Sequence, residues 1–175
     1  MRILYISHTT DKGGGSIALL NMIQEMSVNH EIGCLCPSHK GWLVDALQQE
    51  NCTLFYADYE LYVWPFSVVK GILGVAKFVK GVYNKVSKTI RTREKVNNII
   101  SEFCPDIVHC NCGLLDISLS ASRKHGIPHV WHLREYQDLD FKLNVIPAKR
   151  YFKKKLMSVG NYNIAITKEI FDYFN

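Results

Sequence analysis

The feature that most constrains the fold is an alternation of strand-like runs with helical or turn segments. Runs of β-branched and aliphatic residues occur at 2–7, 30–36, 52–56, 106–112, 128–133 and 162–167. Such alternation is typical of βα units that build a parallel sheet covered by helices on both faces. The 175 residues suffice for one domain with a sizeable core. The sequence therefore predicts a single α/β domain over residues 1–175, with a Rossmann-like, doubly wound, mostly parallel sheet.

The composition indicates a globular protein with reduced cysteines. Hydrophobic residues make up 47% and charged residues 21% of the chain, which excludes a disordered or fibrous protein. The opening residues contain no secretory signal, so a cytoplasmic location is expected. Six cysteines lie in or beside the strand-like runs and are expected to be buried thiols. Cys34 with Cys36 and Cys110 with Cys112 lack the Cys-x-x-Cys spacing of structural zinc sites, which disfavours zinc.

A glycine-rich loop follows the first strand and leads into the first predicted helix. The loop consists of Gly13, Gly14, Gly15 and Ser16, with Ser16 as the expected N-cap of a helix over 16–26. Glycines allow a ligand to approach the backbone, and a helix N-terminus favours anions, so the loop is a candidate diphosphate site. It lacks both the G-x-G-x-x-G and the P-loop spacing, which leaves a flexible turn as the alternative.

The apolar residues of this first helix predict the face that it buries. They recur at helical spacing, so one stripe should face the sheet. The residues of the stripe are Ile17, Leu20, Ile23 and Met26.

Residues 64–104 form a long basic segment that is expected to contain two helices, with a break near Gly81. Valines and an isoleucine recur at helical spacing on one side, and basic residues lie on the other. The apolar set is Val68, Ile72, Val75, Val79, Val82 and Val86. The basic set, which we call the basic patch, is Lys70, Lys77, Lys80, Lys88 and Arg91.

The positive charge of the chain is local. Residues 66–95 contain eight Lys or Arg and one acid, whereas the whole chain carries +5, so the remainder is about −2. A second basic cluster, mixed with aromatics, occupies 149–156. Both favour docking on an anionic membrane surface, with a solvated helix face as the alternative. Nucleic acid is not expected as a partner, because the aromatics lie in predicted helices rather than on a strand platform.

Several motifs occur in the order found in one glycosyltransferase family. The first strand reads Ile-Leu-Tyr-Ile-Ser at 3–7, and Gly-Gly-Ser with a Leu-rich helix follows at 14–20. Pro-Asp-Ile-Val-His occupies 105–109, Gly-Ile-Pro-His-Val-Trp-His occupies 126–132, and a last strand occupies 162–167. This series resembles the N-terminal domain of the GT4 family of GT-B glycosyltransferases. It departs from that family at Asn111, where a second histidine is frequent, and in its long basic segment.

The resemblance implies an acceptor-side domain whose donor-binding partner domain is absent from this chain. It implies a retaining hexosyltransferase-type enzyme that uses a UDP- or GDP-linked sugar and a glycan or lipid-linked acceptor. We therefore expect a role in cell-surface polysaccharide synthesis, with the protein on the inner face of the cell membrane. We also expect this fragment alone to be inactive. No metal or other cofactor is expected, on the interpretation that the chain lacks the Asp-x-Asp sequence of metal-dependent GT-A enzymes.

The candidate site residues lie where the predicted strands end, the edge at which open α/β sheets bind ligands. His132 is the first candidate, because an imidazole there is suited to orient an acceptor or stabilise charge. Glu135 is a candidate base or orienting group for His132, and Arg134 a candidate phosphate ligand, although the two could equally form a surface ion pair. The remaining candidates for the acceptor cleft are His109, Asn111 and Asp11.

Two other classes of function remain. A dinucleotide-dependent oxidoreductase domain is disfavoured by the glycine spacing and by a second strand that ends at Cys36 rather than at an acid that would hold a ribose. A non-catalytic ligand-binding module is the other alternative.

Overall fold

The structure is a computed structural model that describes residues 1–61, 63–65, 71–136, 138–141, 143–145 and 149–174. Eight strands occur in this part of the chain. They are β1 (Arg2–Ile6), β2 (Glu31–Cys36), β3 (Cys52–Tyr56), β4 (Val63–Pro65), β5 (Ile107–Cys110), β6 (His129–Leu133), β7 (Leu143–Val145) and β8 (Asn161–Ala165). Seven helices connect them. They are α1 (Gly14–Ser27), α2 (Trp42–Leu47), α3 (Gly71–Phe103), α4 (Leu119–Lys124), α5 (Asp138–Phe141), α6 (Lys149–Leu156) and α7 (Lys168–Phe174).

Six of the strands form one sheet in the order β3-β2-β1-β5-β6-β8, and every pair in it is parallel. This confirms the predicted Rossmann-like α/β fold and all six predicted strands. The antiparallel pair of β4 and β7 was not predicted. Each of these strands is three residues long, too short to show a periodic pattern.

Helix α1 differs from the prediction at its start and in its buried face. Its N-cap is Gly13, and Ser16 lies within the first turn with its side chain buried. The predicted stripe is wrong at its first residue, since Ile17 is 39% exposed. The buried residues are Ser16, Leu19 and Ile23, which recur three and four residues apart. Two of the three buried residues thus lie one position earlier than the predicted Ile17 and Leu20.

Helix α3 runs unbroken for 33 residues, so the predicted pair of helices with a break near Gly81 is wrong. Val96, Ile100 and Phe103 in its second half are buried against the sheet. Once this half is fixed, each further residue adds one backbone hydrogen bond without a new nucleation cost. That gain carries the helix through its glycines, each of which costs about 1 kcal/mol relative to alanine.

The two faces of the sheet hold separate cores. Helices α1 and α2 pack on Tyr5 and its neighbours. Helices α3, α4, α6 and α7 cover the opposite face, where Leu4, Val108 and Trp131 are buried. The register pairs Tyr5 with His109. His109 therefore lies on the α1 face, at the carboxyl end of the central strands.

A buried carboxylate fixes the loop that follows β5. Asp116 is 4% exposed, and its Oδ2 accepts a hydrogen bond from Arg93 Nη2 of α3 at 3.2 Å. Lys155 of α6 pairs with the same oxygen. Because two cations on different helices share one buried acid, the loop between β5 and α4 is held between α3 and α6. This loop begins at the candidate site.

Candidate functional site

Four of the predicted site residues lie together at the carboxyl edge of the sheet. His109 and His132 are on the neighbouring strands β5 and β6, and Asn111 and Arg134 follow those strands directly. The start of α1 lies beside them, since Asn111 Nδ2 donates a hydrogen bond to the carbonyl oxygen of Gly15 at 3.0 Å. The first βα connection and the ends of two central strands therefore form one site.

Asn111 is the link between Arg134 and the helix start. It is 1% exposed, and its Oδ1 accepts a hydrogen bond from Arg134 Nε at 2.9 Å. Because the same amide also donates to Gly15, the guanidinium is held at a fixed place relative to the first turn of α1. Asn111 occupies the position where the resembling family often has histidine, and here it positions an arginine.

The first turn of α1 is suited to an anion. Its N-cap, Gly13, supplies no side-chain hydrogen bond. The side chains of His8 and Arg134 flank Gly15, because a Cβ at this glycine would meet His8 Cε1 at 3.6 Å and Arg134 Cδ at 4.0 Å. Helix N-termini carry a partial positive charge, and an arginine fork matches the geometry of a phosphate. The arrangement therefore combines two independent sources of affinity for a phosphate.

The hydrogen bonds around His132 determine which of its ring nitrogens carries the proton. Its Nδ1 lies 3.3 Å from Arg134 Nη2 and 3.3 Å from His109 Nε2. A guanidinium can only donate, so His132 Nδ1 accepts and the ring proton is on Nε2. His109 Nε2 is then also a donor. His132 thus presents an N–H group rather than a basic lone pair at its other nitrogen.

Burial keeps these imidazoles neutral. Burial is the main cause that lowers the pKa of His109 to about 3, and the neighbouring His132 and Arg134 lower it further. The pKa of His132 falls to about 4 through burial and then through Arg134. The pKa of His8 is lowered for the same two reasons. At neutral pH the permanent positive charge of the cluster is therefore on Arg134, which remains a cation although burial lowers its pKa.

The neutral histidines predict that the domain loses stability in mild acid. The pKa of His129, on β6, is also lowered to about 3 by burial, whereas an unfolded histidine titrates near 6.5. Between these folded and unfolded pKa values the unfolded chain binds more protons than the folded chain. The stability that comes from keeping the imidazoles neutral is therefore complete above about pH 6.5 and is lost as the pH falls toward 3–4. Urea unfolding at pH 7, 6 and 5 should show that the free energy of unfolding falls by up to about 1.4 kcal/mol per pH unit for each buried imidazole.

A matched pair of variants separates this effect from the general effects of acid. His109→Gln should make the pH dependence shallower, whereas Val28→Gln, at an exposed position without a titratable group, should leave it unchanged. An equal slope for His109→Gln and the unmodified chain would contradict the neutral state of His109.

Glu135 lies beside Arg134 on the rim of the cluster. Burial is the main cause that raises the pKa of its carboxyl group, Asp140 raises it further, and Arg134 opposes the shift. A carboxylate with a raised pKa is suited to accept a proton from an acceptor hydroxyl. The candidate role predicted for Glu135 is therefore compatible with its surroundings.

The cleft at the cluster is small. Its cavity volume is about 10 Å³, room for roughly one water molecule, and it is lined by His8, Gly15, Asn111, Cys112, Gly113, Arg134 and Glu135. This is far below the range of about 300–1,000 Å³ that is usual for small-molecule pockets. The described residues therefore form one wall of a site rather than an enclosed pocket.

A larger hollow, of about 240 Å³, lies at the opposite edge of the sheet and includes Pro128, Gly160 and Tyr162. We assign the functional site to the smaller cleft, because open α/β sheets bind ligands at the carboxyl ends of their strands. The smaller cleft also has the helix N-terminus and the arginine.

Gly113 and Cys112 line the cleft. Gly113 was not singled out from the sequence, and Cys112 was considered only as a zinc ligand. A Cβ at Gly113 would lie 2.8 Å from Leu133 Cδ2, so a side chain there would require the Leu133 side chain to move. The glycine that directly follows the polar run at the end of β5 was the signal for this close approach. His8, which precedes the glycine-rich loop, also belongs to the cleft.

The remaining predicted site residues lie elsewhere. Asp11 is exposed, and its backbone amide and carboxylate bond to the Thr9 hydroxyl. Lys70 lies outside the described residues. The other members of the basic patch, Lys77, Lys80, Lys88 and Arg91, are on α3.

The expectation that the chain has no Asp-x-Asp sequence is wrong, since Asp138-Leu139-Asp140 has that spacing at α5. Asp140 Oδ2 accepts a hydrogen bond from the backbone amide of Tyr136 at 2.9 Å. Within the described part of the chain, no group of three or more potential metal ligands occurs. A metal-independent reaction stays a prediction.

The fold is similar to solved structures of much longer proteins. Anabaena HepE in complex with UDP and glucose has a TM-score of 0.61 at 14% identity over 99% of this chain and 40% of HepE. A UDP-N-acetylglucosamine 2-epimerase, described as putative, from Listeria monocytogenes has a TM-score of 0.58 at 13% identity. The match covers 99% of this chain and 41% of the epimerase. Acinetobacter baumannii MurG has a TM-score of 0.52 at 13% identity over 81% of this chain and 38% of MurG.

These likenesses are too distant to show more than the fold, and the chain spans about 40% of the length of the first of these structures. Neither a protein-family model nor a curated protein sequence matches the chain.

Proposed function

We propose that this chain is the acceptor-side domain of a retaining GT-B glycosyltransferase similar to the GT4 family. It would serve a hexosyl transfer from a UDP- or GDP-linked sugar to a glycan or lipid-linked acceptor of the cell surface. The observation that carries the proposal is the placement of Arg134, through Asn111, beside the uncapped first turn of α1. This arrangement provides half of a diphosphate site at the ligand-binding edge of the sheet.

The structural neighbours support a nucleotide-sugar ligand. HepE has been solved with UDP and glucose and with UDP-glucose, and a further neighbour is described as a UDP-N-acetylglucosamine 2-epimerase. These ligands share a diphosphate joined to a sugar. An arginine beside a helix N-terminus is suited to bind part of such a diphosphate.

The site suggests a distinct role for each group. Arg134 and the amides of Gly14 and Gly15 would stabilise the negative charge that develops on the diphosphate as the sugar leaves. His132, protonated on Nε2, would donate a hydrogen bond to a hydroxyl or to developing negative charge on the sugar. Glu135 would accept the proton of the acceptor hydroxyl. No step in this scheme requires a metal ion.

A second, donor-binding domain is part of the proposal. On the α1 side of the sheet, Tyr162 and Ile164 of β8 are 62% and 45% exposed. Parallel sheets are normally covered on both faces, so this open area beside His132 is suited to contact further polypeptide. We therefore expect the isolated chain to form no glycoside product from UDP-glucose.

Calorimetric titration of the isolated chain with inorganic pyrophosphate, UDP, UDP-glucose and NAD⁺ tests the proposal. UDP and pyrophosphate should compete for one site, and UDP-glucose should bind more tightly than NAD⁺. Strand β2 ends at Cys36, which supplies no acidic side chain for a dinucleotide ribose. Tighter binding of NAD⁺ would support the oxidoreductase alternative, and no binding of any diphosphate would contradict the site.

A further inference from the structure

The first half of α3 extends past the carboxyl edge of the sheet. The helix ends at Phe103, shortly before the amino end of β5, so it runs from the carboxyl edge of the sheet to the amino edge. Thr92 Oγ1 donates a hydrogen bond to the carbonyl oxygen of Asp58, in the loop after β3. Residues near 92 are therefore level with the carboxyl edge. The preceding residues, 71–87, extend about 25 Å past that edge at 1.5 Å per residue.

This projecting half, which we call the overhang (residues 71–91), exposes an apolar stripe. Its residues recur three or four positions apart and so lie on one side of the helix. They are Ile72 at 89%, Val75 at 47%, Val79 at 58%, Tyr83 at 68%, Val86 at 38% and Ile90 at 63% exposed. The buried residues Val96, Ile100 and Phe103 of the second half lie on a different side of the helix. The stripe is therefore not a continuation of the core-facing side, and the described residues leave it largely exposed.

The overhang is also positively charged along its whole length. It carries five Lys or Arg, and the sequence from 61 to 93 contains no Asp or Glu. Lys85 and Lys88 pair with Asp58 or Glu60 of the loop after β3. Lys88 of the predicted basic patch is thus partly neutralised. Lys77, Lys80 and Arg91 make no ion pair with an acid of the described chain, which leaves their charge for an anionic partner.

We propose that the overhang is an interfacial helix that lays its apolar stripe into the headgroup region of an anionic lipid bilayer. A wide apolar stripe with basic residues on the remaining surface is the pattern of helices that lie in this region. Within the described residues no helix is long and apolar enough to cross a bilayer. A second copy of the chain fits less well, because two overhangs would bring Lys77, Lys80 and Arg91 of each copy together, six cations without an acid of the overhang to pair with them.

The direction of α3 gives this attachment a functional consequence. The overhang projects from the carboxyl edge, the edge that holds His132 and Arg134. A bilayer bound by the overhang therefore contacts the part of α3 that projects past the edge at which the candidate site lies. The proposal of membrane attachment depends only on the features of α3. That the acceptor is held at the bilayer rests on the proposed function.

Co-sedimentation of the 175-residue chain with vesicles tests the proposal. The chain should bind vesicles of phosphatidylcholine with 30% phosphatidylglycerol more tightly than phosphatidylcholine alone, and salt should weaken this binding. The double change Lys77→Gln with Lys80→Gln should weaken it about 30-fold, since each basic residue near an anionic surface contributes a factor of about five. Val79→Glu with Val86→Glu should weaken it at least about tenfold by removing the apolar insertion.

Matched changes elsewhere provide the controls. Lys124→Gln and Val159→Glu alter exposed residues outside α3 and should bind vesicles like the unmodified chain. Circular dichroism and the UDP titration verify that each variant keeps its fold and its site. The proposal is overturned if anionic vesicles fail to bind at low salt, or if the stripe and control variants bind equally. It is also overturned if the chain forms a dimer in solution that Val79→Glu dissociates.

Discussion

Replacing Arg134 by methionine should weaken the binding of UDP to this domain by about 10- to 100-fold. A hydrogen bond between charged groups contributes about 1.5–3 kcal/mol, which corresponds to this range. Arg134 is held by Asn111 and lies in a cluster whose histidines are neutral, so no neighbouring cation of the cluster replaces its charge. Isothermal titration calorimetry measures the change directly.

Two further variants separate charge from position. Asn111→Leu keeps the guanidinium but removes its link to Gly15, so it should cause an intermediate loss of affinity. Arg123→Met removes an exposed arginine at the other edge of the sheet and should have no effect. If Arg134→Met behaves like Arg123→Met, Arg134 does not bind the diphosphate.

Replacing Trp131 by alanine should produce the largest loss of stability. The side chain is fully buried in the core between β6, α6 and α7, with Phe152 packed edge-to-face at a centroid distance of 5.3 Å. Removal of a buried tryptophan costs about 3–5 kcal/mol, because the surroundings collapse only partly into the cavity. For a domain of this size the midpoint of thermal unfolding should fall by about 6–20 °C.

Trp131→Phe is the informative control. Nε1 of Trp131 makes no hydrogen bond within the described chain, so phenylalanine loses volume but no polar partner. We expect a loss of less than about 1.5 kcal/mol, as for other conservative apolar changes. If Trp131→Ala and Trp131→Phe lost the same free energy of unfolding, packing of the side chain would not explain its contribution to stability. Differential scanning calorimetry of the two proteins decides between these outcomes.

The strands could be predicted from the sequence because their signal is local. Buried parallel strands are short apolar runs bounded by turns, and β1, β2 and β3 each show one. The start of α1 was misplaced because Ser16 is a favoured N-cap residue, whereas Gly13 performs that role without a side chain. The continuity of α3 depends on the packing of its second half on the sheet. Local glycine propensity does not report that packing.

The convergence of four candidate residues could be predicted from the sequence, whereas their hydrogen bonds could not. His109, Asn111, His132 and Arg134 converge because parallel strands end at one edge, a consequence of topology that the sequence already implied. The proton position on His132 and the bridging role of Asn111 depend on side-chain contacts of about 3 Å between separate strands. No spacing along the chain reports such contacts.

The most direct test of the central claim is an NMR titration of the isotope-labelled chain with UDP-glucose, followed residue by residue. The account predicts chemical-shift changes at the amides of Gly13, Gly14, Gly15 and Ser16, at the Arg134 guanidinium and at the His132 ring, with His132 protonated on Nε2 before ligand is added. Changes confined to the hollow around Pro128 and Gly160, or no change at Arg134 and the start of α1, would contradict a diphosphate site at the carboxyl edge.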